Sequence, residues 1–302
     1  MNALPFGPYD ASRDVPAPGS VPVTALVLTK NEEDNIARCM ASLAWCDQLV
    51  VIDSESSDDT VRLASAGGAV VIEQPWLGFA RQREFALRHD AVRNDWVYFV
   101  DADEWVSAAL AREAADAVSQ DSYAACAHRL RLVFLGRWIR HCGWYGGSSV
   151  VRLGRRDALS YDVSTAVGER AMVDGQVGRL RYDIVDEDLK GLAAWLRKHI
   201  TYAEAEAARR CGQPPELQQR LRLWLRGERA GRPPARSLAK DVVAPAIPAR
   251  PLLLFIYMYA LRGGWRDGRQ GLMFCMYHAW FEATVQQLTG TRASRGQPVS
   301  ST

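Results

Sequence analysis

The residues best equipped for chemistry are acidic or amide side chains placed at the ends of apolar runs. WVYFV at 96–100 leads into Asp101-Ala102-Asp103-Glu104, LVVI at 49–52 into Asp53, and VTALVL at 23–28 into Thr29, Lys30, Asn31 and Glu32. In an extended chain, side chains two apart point the same way, so Asp101 and Asp103 present two carboxylates on one side. Two hard oxygen ligands suit Mg²⁺ or Mn²⁺, and such an ion binds a diphosphate in turn. An isolated Asp-x-Asp carries little information; the same pattern beside Asp53 and Asn31 on neighbouring runs carries much more.

The elements that must position these groups follow from hydrophobic spacing. The run 23–28 predicts a strand, and Ile36, Met40 and Leu43 recur at helical spacing after it. A second strand at 49–52 is followed by Ser57-Asp58-Asp59-Thr60, which caps a helix over 61–66. Strands at 69–72 and 96–100 flank a helix over 79–89. This alternation predicts an α/β fold, a parallel sheet with helices on both faces, whose ligands bind at the carboxyl ends of the strands. Beyond residue 105 the spacing predicts a helix over 107–119, a strand over 124–134, a Gly/Trp-rich loop GRWIRHCGWYGG, and short strands near 150–153 and 177–182. These would form a mixed-sheet extension walling the site. A long helix to about Arg210 and a proline-punctuated helical region complete the chain.

Composition excludes several classes. The chain has 302 residues, 48% hydrophobic and 24% charged, so most of it is globular rather than disordered. Six scattered cysteines include no CxxC pair, which leaves buried thiols as the expectation and gives no sign of a zinc site or disulfide framework. There is no GxSxG and no GxxxxGK[ST], so neither a serine hydrolase nor a P-loop nucleotidase is indicated. The first 20 residues, rich in Pro, Gly and Ser, lack the pattern of a signal peptide and read as a disordered lead-in.

The net charge of +2 conceals an asymmetry. Residues 1–204 carry 22 basic and 29 acidic side chains, and 205–302 carry 15 and 6. The longest apolar run, LLLFIYMYAL at 252–261, is about half the ~20 residues that span a bilayer. With Arg262, Arg266 and Arg269 beside Tyr259 and Trp265, it suits an interfacial hairpin on anionic lipid, while a helical pair packed on its own protein is the plainer alternative.

With LTKNEE at 28–33, VVIDSESSDDT at 50–60, QPWLGFARQR at 74–83 and FVDADEWV at 99–106, residues 21 to about 190 resemble a family 2 glycosyltransferase. The whole chain resembles the bacterial branch that adds sugars to lipopolysaccharide core or lipid-linked exopolysaccharide. The resemblance implies a GT-A nucleotide-sugar-binding fold over 21–190 and a helical C-terminal extension over 191–302, with a candidate membrane-associating hairpin at 250–287. It implies a hexosyltransferase that is metal-dependent and inverts the anomeric carbon, takes a UDP-sugar donor and a lipid-linked saccharide acceptor, and works in the cytoplasm on the inner face of the membrane. A homodimer is an open possibility, and no nucleic acid is expected.

Carried over by position, Thr29, Asn31 and Glu32 would line the base and ribose, Asp53 would accept the nucleobase N–H, and Asp101 would face the ribose. Asp103 would hold the metal, joined by Asp186, and Arg81 could reach the diphosphate. Glu169 would be the general base. Three positions depart from the family pattern: Gly168 where a histidine precedes Glu169, Asp186 where a histidine is common, and Gly146-Gly147 where Pro-Asp is common. These departures keep open a catalytically degenerate transferase acting as a membrane-bound assembly partner. A nucleotidyltransferase would instead need a Gly-rich basic loop after the first strand, where this chain has TKNEE.

Overall fold

The computed structural model describes residues 15–145, 149–162, 171–212 and 249–295. The chain falls into two units, the first running to residue 140 and again over 144–190, the second taking 141–143 and everything from 191.

In the first unit, strands β1 (Val21–Thr29), β2 (Cys46–Asp53), β3 (Val70–Glu73) and β4 (Trp96–Asp101) alternate with helices α1 (Ile36–Ser42), α2 (Thr60–Ala66) and α3 (Phe79–Arg88). They lie in the order β3-β2-β1-β4, all parallel. The chain continues through the two-residue β5 (Glu104–Trp105), α4 (Ala108–Gln120), β6 (Ala125–Phe134), β7 (Arg137–Trp138) and β8 (Ser149–Arg155). β8 inserts antiparallel between β4 and β6, which makes the sheet mixed. A separate hairpin joins β9 (Leu159–Tyr161) to β10 (Ala171–Val173), and β11 (Val177–Arg179) and β12 (Ile184–Asp186) both pair with β6. The α/β sheet with its mixed extension, expected from the sequence, is present. The strand expected over 177–182 stops at Arg179, and β12 follows it as a separate strand.

Burial on both faces explains the apolar runs. On one face Val23, Ala25, Val27, Tyr98 and Val100 pack with Ile36, Leu43 and Leu110; on the other, Leu26, Val50, Ile52, Val97 and Phe99 pack with Ala86 and Leu87. Each fully buried Val, Leu or Phe contributes roughly 1.5–3 kcal/mol, so the strands can carry little polarity until they end. The polar groups therefore concentrate where the strands stop, and the register aligns those stops: Thr29 lies opposite Asp53, and Leu28 opposite Asp101.

The second unit contains α5 (Gly191–Gly212), α6 (Arg250–Ile256), a π turn (Tyr257–Leu261), a 3₁₀ turn (Gly264–Asp267) and α7 (Gly268–Arg295). Ala203, Ala207 and Val285 form its apolar contact between α5 and α7. Glu282, buried on α7, pairs with Arg210 and Arg250. Among the described residues no helix is long and apolar enough to cross a membrane. Cys39, Cys46, Cys126, Cys142 and Cys275 are buried free thiols, and Cys211 is exposed.

His128 on β6 is fully buried and shares a 3.2 Å hydrogen bond with the Tyr98 hydroxyl. Burial, reinforced by Arg152, pushes its pKa down to about 4. The folded chain then binds fewer protons than the unfolded one between about pH 6.5 and 4, so stability is lost as pH falls through that window, by at most ~3 kcal/mol from this group. His128→Gln should flatten the acid limb of the melting temperature measured against pH; an unchanged limb would remove His128 as its source.

Candidate functional site

The loops leaving β1 and β2 are laced together. Asp53 is wholly buried and accepts hydrogen bonds from the Thr29 hydroxyl at 2.8 Å, the Ser56 N–H at 2.7 Å and the Ser56 hydroxyl at 2.6 Å. Asn31 sits at φ 54°, a left-handed conformation that Asn tolerates better than most residues. From there its N–H donates to Ser56 Oγ at 2.8 Å, and its side-chain oxygen accepts from the Ser57 N–H at 2.8 Å. The Glu32 and Glu33 N–H groups donate to Thr60 Oγ1 and Asp58 Oδ2. SESSDDT thus forms a polar rim beside TKNEE, with Asn31 exposed at the edge.

At the end of β4 the carboxylates are held by arginines. Asp101 accepts Arg83 Nη2 on one oxygen and Arg152 Nη2 on the other, each at 2.7 Å. Glu104 accepts the Asp101 N–H at 2.8 Å and Arg152 Nη2 at 3.2 Å, closing the Asp-Ala-Asp-Glu turn on itself. Burial tends to raise the Asp101 carboxyl, but the Arg152 and Arg83 guanidinium groups outweigh it and hold the carboxyl well below the usual range. For Glu104 burial wins: its pKa is pushed up to about 8, with the Asp101 charge adding to the rise against the pull of Arg152. One turn therefore carries a fixed anion and a carboxyl poised to take a proton.

The last strand brings a further acid to this place. β12 pairs antiparallel with β5, setting Asp186 opposite Glu104, and the Glu187 N–H donates to the Asp103 carbonyl at 2.9 Å. Asp103 and Asp186 are therefore carried by adjacent stretches of backbone. Mg²⁺ or Mn²⁺ beside a diphosphate commonly takes one or two carboxylates and fills its shell with water and phosphate oxygens, so two acids on adjacent backbone match the number such an ion asks of a protein. Among the described residues no group of three or more His, Cys, Asp or Glu is arranged to hold a metal with protein ligands alone. Beyond Asp186, Lys190 pairs with Glu32 at 2.6 Å, and the buried Asn35 donates to both Glu32 and Asp188. Burial raises the Glu32 pKa, with the hydrogen bonds from Asn35 and Lys190 opposing it.

Thr29, Asn31, Glu32, Asp53, Asp101, Asp103 and Asp186 thus stand at the carboxyl ends of β1, β2, β4 and β12. Arg81 lies on the exposed side of α3, while Arg83, half a turn away, is buried and reaches Asp101. Glu169 and Gly168, like Gly146-Gly147, lie outside the described residues. Trp138 and Tyr145 pack edge to face at 5.0 Å, Arg131 covers Trp138, and the Tyr145 hydroxyl donates to Asp183, so both rings pack within the first unit. A cavity of about 820 Å³ opens beside the β4 turn, lined by Arg83, Arg152, Tyr161, Asp162, Val151 and Met172 among others.

Arg83, Arg152 and Glu104 were not singled out in the sequence. A signal for Arg83 existed: Ala80, Arg83, Ala86 and Leu87 recur at helical spacing, which puts an arginine inside an apolar stripe. Arg152 has no comparable signal, because its meaning depends on β8 inserting next to β4.

Residues 24–173 match the family model described as Glycosyl transferase family 2, so this stretch is a domain of that family. An uncharacterized glycosyltransferase of Rickettsia typhi is 40% identical over 118 residues, covering 38% of this chain and 40% of the relative. The lipopolysaccharide core biosynthesis glycosyltransferase LpsC of Rhizobium meliloti is 30% identical over 174 residues, 53% of this chain and 61% of the relative. The chain therefore spans about two fifths to three fifths of the length of these curated relatives. Among solved structures, residues 1–349 of TarS from S. aureus align with 91% of this chain and 92% of that one at 13% identity and a TM-score of 0.44.

The arginine pairing has a measurable consequence. Arg152→Leu removes a partner shared by the buried Glu104 and the half-buried Asp101, which keeps Arg83, and should cost about 2–3 kcal/mol, whereas Arg81→Ala on the exposed side of α3 should stay within about 0.5 kcal/mol. Urea denaturation of both variants checks this, and equal effects would contradict the assigned geometry.

Proposed function

We propose that the chain is an inverting, metal-dependent glycosyltransferase of family 2. It moves a sugar from a nucleoside-diphosphate donor, UDP-sugars being the first to test, to a lipid-linked saccharide of lipopolysaccharide or exopolysaccharide at the inner face of the cytoplasmic membrane. The observation that carries this reading is the convergence of Asn31, Glu32, Asp53, Asp101 and Asp103 at three aligned strand ends, with Asp186 registered against the same turn. The match to the family over residues 24–173 supports the reaction class, and the likeness to LpsC supports the lipopolysaccharide setting.

In this reading the exposed Asn31 and the largely enclosed Glu32 line the nucleoside, while Asp53, expected from the sequence to accept the nucleobase N–H, is wholly buried on Thr29 and Ser56 and would instead fix the loop that shapes the rim. Asp101 meets the ribose side and is kept ionised and in place by Arg83 and Arg152. Asp103 and Asp186 would hold the divalent ion, whose chemistry is to offset the charge that grows on the diphosphate as it departs. The cavity beside Arg152 and Tyr161 offers room for the transferred sugar and its acceptor. Glu169 would take the proton from the acceptor hydroxyl on the face opposite the leaving group, as inversion requires.

Isothermal titration of UDP with and without Mn²⁺ tests the site. Wild type should bind UDP at least tenfold more tightly with Mn²⁺, and Asp103→Ala should lose that gain; unchanged affinity in the variant would overturn the metal assignment. Glu169→Gln should keep donor binding while transfer falls by about 10²–10⁴-fold, the usual worth of a general base. Binding with no transfer in the wild type would favour the degenerate assembly partner instead.

A further inference from the structure

Between β12 and α5 the chain runs as a short strap through Glu187, Asp188, Leu189 and Lys190. Each of these residues is tied to the β4 turn, to α1 or to the loop that precedes α1. The Glu187 N–H donates to the Asp103 carbonyl at 2.9 Å, and its carboxylate pairs with Arg38 at 2.7 Å. Asn35, wholly buried, donates to Asp188 Oδ1 at 3.0 Å and accepts the Leu189 N–H at 2.9 Å. The Lys190 N–H donates to the same Asp188 oxygen at 3.0 Å. The Lys190 side chain therefore leaves a backbone that is already fixed. Its ammonium group crosses to the loop after β1, where it donates to Glu32 Oε1 at 2.6 Å and to the Asn31 carbonyl at 3.4 Å.

As a strut this contact would add little. Arg38 and Asn35 hold the strap without it, and an ion pair with 21% and 12% of its side chains exposed is partly screened by water. What the contact does fix is the carboxylate of Glu32. Its Oε1 accepts Lys190 and its Oε2 accepts Asn35 Nδ2 at 2.8 Å, so two of the roughly four acceptor places of the group are taken and the rest remain. Burial works against the charge of Glu32, and the hydrogen bonds from Asn35 and Lys190 work for it.

The position of Glu32 says what those remaining places are for. It stands between the exposed Asn31 on one side and Asp103, whose charge acts on it, on the other. In a nucleoside diphosphate the ribose likewise joins the base to the diphosphate. Its 2′- and 3′-hydroxyls are two adjacent O–H donors, and a carboxylate beside a strand end is a well-matched acceptor for them. The strap spans the same distance from the other side, with Asp186 at its start beside the β4 turn and Lys190 at its end beside Asn31.

We propose that Lys190 is a positioning residue for the ribose of the donor. By fixing the Glu32 carboxylate it lets that group accept the ribose hydroxyls, and the site thereby selects ribonucleoside over 2′-deoxyribonucleoside diphosphates. This assignment rests on the donor reading given above and adds to it the sugar class of the nucleoside and the residue that enforces it.

Isothermal titration of the full chain with Mn²⁺ present, using UDP, GDP, CDP and ADP each against its 2′-deoxy counterpart, tests the assignment. In wild type the best-bound ribonucleotide should exceed its deoxy counterpart by about tenfold or more, the usual worth of a hydrogen bond to a charged acceptor. Lys190→Met keeps the stem and removes the donors; it should weaken the ribonucleotide about tenfold and leave the deoxynucleotide within about twofold, so that the preference collapses. Lys190→Arg should restore most of the preference. Glu32→Gln should lower it as Lys190→Met does, and combining the two should take away little more, as expected for residues acting through one contact. A strut would behave otherwise: Lys190→Met would weaken both nucleotides by the same factor with the preference intact, and that result would overturn the assignment. A wild type that binds the two equally, or favours the deoxynucleotide, would overturn it too, while leaving the donor site standing. If none of the nucleotides binds wild type, the donor reading itself fails and the role of Lys190 falls with it.

Discussion

The candidate site depends on how the first unit holds the acids at the end of β4, a half-buried Asp101 and a buried Glu104, in one place. Arg83 and Arg152 arrive from two other elements to pair with Asp101, and Arg152 also reaches the buried Glu104, so the arginines keep Asp101 ionised and offset part of the cost of burying Glu104. Arg152 touches both acids and thereby ties β8 to the turn that carries Asp103. The three elements that supply the partners, α3, β8 and the β4 turn, must hold their relative positions for these pairs to form. The rest of the site is built on that anchor: β12 adds Asp186 to the same turn, and Lys190 and Asn35 close the circuit back to Glu32.

A second constraint explains why the polar groups are where they are. Helices cover both faces of the central sheet, so β1, β2 and β4 tolerate almost nothing polar along their length, and the parallel register brings their polar ends level. Asp53 illustrates the outcome. It is buried to completion, yet Thr29 and Ser56 give its carboxylate the donors it needs, and those bonds brace the loop that carries Asn31.

Much of this was legible in the residues alone. The strands at β1, β2 and β4 are continuous apolar runs that stop at acids, and such runs can be placed without knowing the partners. The resemblance carried by LTKNEE, VVIDSESSDDT and FVDADEWV pointed to the same strand ends. Arg152 was not legible, because an arginine in VVRLGRRD gains its role only from an antiparallel strand inserted beside β4, a pairing between residues more than 50 apart in sequence. The sequence analysis named Arg81 and passed over Arg83, whose burial follows from helix phase: two residues turn a side chain to nearly the opposite side, and the buried side already held Ala80, Ala86 and Leu87. In the C-terminal part, the sequence revealed the apolar run and the arginines but not which side of the turn was closed. That followed from Asp267, which is buried against His141 and Cys142.

On the proposed reading, the aligned strand ends form a metal-assisted nucleoside-diphosphate site. Anomalous diffraction at the manganese edge, from crystals grown with Mn²⁺ and UDP, tests it most directly. The account requires a single strong peak bounded by the carboxylates of Asp103 and Asp186, with the diphosphate on its open side and the uracil at the Asn31 rim. A peak elsewhere, or a nucleotide bound away from the ends of β1, β2 and β4, would contradict it.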